Sequence, residues 1–482
     1  MKSYIQKVSL SLLIVSSITA CGGGSDSTEI AIDVLEPPTN SAPIPTLSVT
    51  LLAAPEPTTQ QSFATFEFEA DGNTGFTCLL NGELLSTCAS PLTVMPLTLG
   101  MQNLIIRAKN QESIEGPETS FDWEVSTVFA SGQNASIHND LIRTTMMPDA
   151  AAPNSWKGIF RINCDFAHAS YNDPVVFPGE ENAAHLHRFY GNTLTDHNST
   201  NESLFTQGES TCQGNLLNLS SYWVPSIITP EYDQQTLQPV LDANGDQKFV
   251  MVPAVVGNDD VAHEIFYYSA GIDDLAAIQA IPVGLRMIAG SHMSQPGQEQ
   301  DTSIVRWHCQ SWASDDSSNP QWSTSIPVCE APDRVRMDIF FPSCWNGTDL
   351  DSDDHKSHMA YPVDATNGNA KVCPSTHPIA LVRPSYHYAF GVKPEVYDPA
   401  TRSSIGWRLS SDMYTVDEQI KGGNSLHADW VNAWHPEVMQ ALLDNCIKEG
   451  LDCHDGNLAN GFRLNGTQPG TQAQPDIIKG AM

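Results

Sequence analysis

Eleven cysteines constrain this 482-residue chain more than any other feature. Ten are spread through its body, at Cys78, Cys88, Cys164, Cys212, Cys309, Cys329, Cys344, Cys373, Cys446 and Cys453, while Cys21 stands alone near the start. No two are spaced as CxxC, which disfavours a zinc knuckle or a thiol redox motif. An even set in an exported chain reads as five disulfides. Pairing sequence neighbours gives Cys78–Cys88, Cys164–Cys212, Cys309–Cys329, Cys344–Cys373 and Cys446–Cys453, with the first and last pairs the best defined.

The N-terminus supplies the oxidising compartment. "MKSYIQKVSLSLLIVSSITAC" places Lys2 and Lys7 before an apolar stretch of signal-peptide length, too short for a membrane span. Ile18-Thr19-Ala20-Cys21 resembles the bacterial lipobox, which implies lipidation of Cys21 and, with Gly22 following, an outer-membrane anchor. The expected organisation is a lipoprotein signal peptide over 1–20 and a flexible Gly/Ser/Pro-rich stalk over 21–45. A small β module over 46–127, a main domain over 130–465 and a loose tail over 466–482 follow. Lys+Arg 23 against Asp+Glu 56 leaves a net charge of −33 with no basic stripe, so nucleic acid is excluded as a partner. Length alone allows each domain its own core.

The fold class is mostly β. In the small module, "SFATFEFEA" and "NLIIRAKN" alternate apolar and polar residues, and Asn81-Gly82 marks a hairpin. Phe76, Cys78, Asn81-Gly82, Cys88, Ser90-Pro91, Leu99-Gly100, Arg107-Ala108 and Trp123 resemble the bacterial Ig-like repeats, which implies an Ig-like β-sandwich acting as a spacer. The main domain has short β-like runs between long loops, predicting a larger β-sandwich or jelly-roll with few helices. Helical signals are confined to 273–280, "DDLAAIQA", and 435–450, "HPEVMQALLDNCIKEG". "DANGDQ" fails the EF-hand spacing, and Asn244-Gly245 reads as a turn.

Histidines carry the candidate chemistry. His185 and His187, and His427 and Asp429, are two apart and share a face on a strand. Asp351, Asp354, His355 and His358 cluster in "DLDSDDHKSH", and His377 lies close to Cys373. Imidazoles with carboxylates suit a divalent metal such as Zn, Cu or Mn, with His185, His187, His355 and His358 as ligands. The same groups suit metal-free acid/base work, in which His titrates near neutral pH. Spacing leaves both open. Trp223, Trp307, Trp312, Trp345 and Trp434 are either sugar-stacking platforms or core.

A longer pattern unites these clusters. His185, His187, Phe189, Gly191 and Asn192, then Ser221 to Trp223 with Pro225, Pro282 to Gly290, Trp307 with Cys309, Phe341 to Gly347, Asp351, His355 and His358, Cys373 to Pro378, and His427, Asp429, Asn432 and Trp434 resemble the DUF1996 family of secreted domains. Trp430 stands where that pattern has Phe. The resemblance implies one shared pocket and names no substrate.

The reading favoured by residues and resemblance together is an extracellular polysaccharide hydrolase or lyase. Its catalytic set is His185, His187, Asp351, His355, His358, His377, His427 and Asp429. Arg188, Trp223, Trp345, Asn432 and Trp434 would bind substrate, and Arg188, Arg286 or Arg383 would neutralise a uronate in a lyase. No Glu pair fits a two-carboxylate glycosidase, and no GxSxG elbow or unpaired body cysteine offers a nucleophile. A non-catalytic polysaccharide-binding adhesin and a metal-scavenging surface protein are the alternatives.

Overall fold

A computed structural model describes residues 47–480 except 60, 62, 96, 128–139, 152–156, 234, 255–263, 311–321 and 367–369. The signal peptide, Cys21, the stalk and Trp312 lie outside the described residues. Everything described belongs to one unit beginning at Leu47.

The first module is a small two-sheet sandwich. In Ala64–Glu69 the residues Ala64, Phe66 and Phe68 are buried and their neighbours exposed, as period-two alternation requires. That strand pairs with Thr50–Ala53 and Leu92–Val94, facing a sheet built from Gly75–Leu80, Gly100–Lys109 and Thr119–Val125 with two short edge strands. Phe66 packs edge-on to Phe121 and Trp123 between the sheets. Asn81 and Gly82 both have positive φ, 53° and 85°, which makes a type I′ hairpin turn.

Twelve strands build the larger sandwich. They are β1 Asp149–Ala150, β2 Ile159–Cys164, β3 Phe166–Ser170, β4 His187–Gly191, β5 Ser221–Pro225, β6 Glu264–Ser269, β7 Arg286–Gly290, β8 Val305–Gln310, β9 Arg334–Phe340, β10 Arg383–Gly391, β11 His427–Val431 and β12 Leu451–Cys453. One sheet has the order β1-β12-β2-β6-β10-β9-β8 and the other β3-β4-β5-β11-β7. Their facing sides enclose a continuous core that includes Tyr190, Tyr222, Met287 and Trp430 from the five-stranded sheet, and Phe160, Phe266, Tyr386 and Met337 from the seven-stranded one. Intervening residues therefore point to the outer faces. On the five-stranded sheet this outer face carries a second apolar cluster, Phe189, Trp223, Leu204, Phe205 and Val431, against which Phe63 and Met95 of the small sandwich pack.

All five cysteine pairs join sequence neighbours: Cys78–Cys88, Cys164–Cys212, Cys309–Cys329, Cys344–Cys373 and Cys446–Cys453. Helix is scarce among the described residues. The expected C-terminal helix runs over Pro436–Leu442, capped where His435 accepts from Glu437 N, and continues as a π-type turn over Leu443–Ile447. The stretch 273–280 forms only a 3₁₀ turn, Leu275–Ala277. It is too short to sustain a helix, and Pro282 follows closely. A short helix at Asn201–Thr206, closed by a Thr200/Ser203 capping box, was not expected. The tail is not loose. Ala169 N donates to Ala473 O (2.7 Å) and Gln472 N to Ala167 O (2.8 Å), so it lies along β3, whose edge groups need partners.

Candidate metal centre

Alternation on β4 and β11 sends His187, His427 and Asp429 to the outer face of the five-stranded sheet. His185, just before β4, keeps the same side. Its ring lies 4.2 Å from that of His187 and 5.0 Å from that of His427, and those of His187 and His427 are 6.0 Å apart. His187 Nδ1 donates to Asn172 O (3.0 Å) and His427 Nδ1 to Ser425 O (2.8 Å). A carbonyl only accepts, so the proton sits on Nδ1 and the Nε2 lone pairs face inward.

Two carboxylates complete the cluster. One ligand atom from each of His185, His187 and His427 lies within 4.8 Å of the others, and the same holds for Asp173, His187 and Asp429. Asp173 is buried, with Oδ1 held by Val175 N and Val176 N, 2.9 Å each. Asp429 Oδ2 is 4.0 Å from His427 Nε2. Neither oxygen of Asp429, nor Nε2 of His185 or His187, has a hydrogen-bond partner among the described residues.

Electrostatics follow from burial. Desolvation, then the neighbouring imidazoles, hold His185 and His427 well below the ordinary histidine range, and desolvation also lowers His187. Burial, reinforced by Asp173, pushes the Asp429 carboxyl well above its usual value. The three imidazoles are thus neutral near pH 7 and ready to donate lone pairs. Among the described residues no protein group satisfies these acceptors, and their arrangement is one that could hold a cation. Three imidazoles with carboxylate fit Zn, Cu or Mn better than Mg or Ca, which prefer all-oxygen shells.

The loop 341–362 is organised differently from expectation. His358 is buried and both its ring nitrogens are engaged, Nε2 with Arg286 O (2.7 Å) and Nδ1 with Ser352 Oγ (2.9 Å). His377 bonds Ser357 O and Thr376 Oγ1, 2.9 Å each. His355 pairs with Asp351 (2.9 Å), which also takes Arg286 at 3.4 Å. These four residues fix the loop to β7 and to itself, and among the described residues no hydrogen bond or ion pair joins them to the histidine cluster. Lys356 is the loop residue that reaches it. Its Nζ donates to Gly290 O (2.7 Å), and Asp429 is the foremost charge favouring its protonated form against burial. His292, at the surface, sits with its ring 5.9 Å from that of His427.

The expected substrate-binding residues are corrected too. Trp223 and Trp434 are fully buried, the first stacked on Phe189 and the second donating Nε1 to Tyr268 Oη, so neither offers a face to a sugar. Trp307 is core as well. Buried Asn432 holds Ile281 O and Pro282 O, 3.0 Å each. Buried Arg188 donates to Val252 O (2.8 Å) and lies over the Phe390 ring. Trp345 is half-buried, with Nε1 donating to Asp349 O (2.6 Å). Sequence reasoning missed Asp173, His292 and Lys356. Lys356 lies inside the quoted histidine motif, whereas Asp173 in "NDPVVF" carries no signal beyond that of a turn residue.

A Ser–His–Asp arrangement also occurs, on the other sheet. His387 Nδ1 bonds Asp338 Oδ1 (2.8 Å) and Nε2 approaches Ser385 Oγ (3.1 Å). Ser385 is fully buried, so a substrate carbonyl cannot reach it, and the relay is structural.

Comparison with known proteins bears on this region. The family model described as domain of unknown function (DUF1996) matches residues 173–434, a span containing Asp173, all three histidines and Asp429. No curated protein matches the chain. Among solved structures, one of the Clostridium thermocellum CbhA fibronectin(III)-like modules aligns at 16% identity, covering 17% of this chain and 98% of that one, with a TM-score of 0.15. A likeness that low carries no argument.

Proposed function

The chain belongs to the DUF1996 family, a domain of unknown function, and from its site we propose that it is an extracellular metal-dependent enzyme cleaving polysaccharide by hydrolysis or elimination. One observation carries the reading: ring nitrogens of His185, His187 and His427 converge, and Asp429, neither of whose carboxylate oxygens has a hydrogen-bond partner among the described residues, lies beside His187 and His427. A divalent Zn, Mn or Cu held there would supply a Lewis acid and acidify bound water. The carbonyls of Asn172 and Ser425 fix the imidazole tautomers, and Asp173 adds negative charge that favours a cation.

Beside Lys356 a cleft of about 310 Å³ opens between Gly290 and Tyr361, lined by Ser291, Glu299, Gln300 and Asp301. Hydroxyl, amide and carboxyl groups of this kind hydrogen-bond sugar hydroxyls, which supports a glycan substrate. Lys356 Nζ is placed to hold an anionic group or a proton next to the cluster. Five disulfides support the oxidising compartment in which a Cys21 lipid anchor would tether the enzyme to the outer membrane.

Elemental analysis of the purified protein, coupled to a polysaccharide screen with and without chelator, tests the proposal. We expect one stoichiometric transition metal, lost in His187→Ala, and turnover that disappears on chelation. Metal without turnover would favour the scavenging protein. Absence of metal after reconstitution with Zn, Mn and Cu in turn would sink the centre.

A further inference from the structure

The seven-stranded sheet has an outer face of its own. Its register places Arg161 of β2, Arg383 of β10, Arg334 and Arg336 of β9 and Arg306 of β8 on one side, away from the core. These are five of only 23 Lys and Arg in a chain of net charge −33. Arg306 and Arg336 share a single carboxylate, that of Asp338, at 3.1 and 3.7 Å. Asp338 is itself buried and bonded to His387, so one anion serves two cations. Beside them Trp322 is 41% exposed, the only exposed tryptophan among the described residues. The Arg306 guanidinium lies 3.6 Å from its ring centroid.

We propose that this face binds an acidic polysaccharide, a glycan bearing carboxylate or sulfate groups, with Trp322 under a sugar ring and Arg306 and Arg336 on its anions. Guanidinium forks match such groups bidentately, and an indole ring offers apolar area to the C–H face of a sugar. Arg161 is already paired with Asp455 and Arg383 bonds Ser269, so the site centres on Arg306 and Arg336, which meet on adjacent strands at Asp338 beside Trp322. A nucleic acid fits less well. The net charge of this protein repels any polyanion, most strongly a duplex with one charge per ~1.7 Å, whereas a uronate glycan carries sparser charge and offers uncharged sugar faces to Trp322. The site lies on the sheet opposite the histidine cluster and does not depend on a metal there.

Affinity electrophoresis of the purified full-length protein tests this in gels containing polygalacturonate, dextran sulfate or neutral dextran. The acidic polymers should retard the protein and dextran should not, with retardation weakening as salt rises. Trp322→Ala and Arg306→Ala should each weaken binding about tenfold, while chelator leaves it unchanged. Trp322→Ala removes a ring that is 41% exposed and packs on Arg306 and His308, so its melting temperature should fall by a few degrees at most while the protein stays folded, and its result stands even if Arg306→Ala misfolds. Unchanged retardation of Trp322→Ala, equal retardation by dextran, loss of binding on chelation, or tighter binding of a single-stranded DNA oligonucleotide than of polygalacturonate would each overturn the proposal.

Discussion

Burying a carboxylate with no hydrogen bond to either oxygen costs several kcal/mol unless a proton or a cation takes up the charge. Asp429 is in that position, so Asp429→Asn separates stability from metal binding. In chelator the variant should melt at or above the wild-type temperature, because it no longer buries an ionisable group. Its metal affinity should fall by about 10- to 100-fold. Calorimetry with and without chelator, alongside metal titration, reads both effects, and wild-type affinity in the variant would remove Asp429 from the ligand set. The pairs His185/His187 and His427/Asp429 were legible in the sequence because strand alternation fixes which side chains share a face. His355 and His358 carried an equally suggestive spacing, yet Asp351 holds His355, and Ser352 and Arg286 O take up both nitrogens of His358. Residue type cannot report which groups a loop turns on itself.

At the scale of elements, the Cys344–Cys373 bridge clamps the loop that carries Lys356. Replacing both cysteines by serine should cost roughly 2–4 kcal/mol, visible as a lower denaturation midpoint in urea. Metal content should be unchanged, since Asp173, His185, His187, His427 and Asp429 all lie outside that loop. Loss of metal in the double variant would mean that the loop supplies a ligand. Strands with clear alternation, such as Ala64–Glu69, could be read directly, as could the C-terminal helix with its N-terminal Pro436. The tail was not readable. Its order comes from the open edge of β3, a partner 305 residues away, from His168 to Ala473, that no local pattern announces. Asp173 and Lys356 escaped for the same reason, because loops bring them to the sheet.

On the scale of the whole molecule, one sandwich presents two chemically different outer faces, and pH separates their host from an ordinary acidic protein. A chain of net charge −33 should relax its self-repulsion as carboxylates protonate, so acidification toward pH 5 would by itself be mildly stabilising. The metal-free histidine cluster acts the other way. Burial lowers His185, His187 and His427, and His168 and His387 are lowered by burial as well. Unfolded, each takes up a proton near pH ~6.5; folded, only at lower pH. Their contribution is therefore complete above ~6.5 and is lost as pH falls toward the depressed folded values. Asp429 has the opposite sign, because its raised carboxyl holds a proton in the folded state that the unfolded chain releases above ~3.9. Several imidazoles oppose one carboxyl, so the metal-free protein should lose stability between pH 6.5 and 5. His427→Gln, which removes one buried imidazole, should flatten that slope, and Asp429→Asn, which removes the opposing group, should steepen it. Thermal melts in chelator across this range decide the matter. A wild type that gains stability on acidification, or a His427→Gln slope equal to it, would show that the cluster is not a buried, neutral set of lone-pair donors.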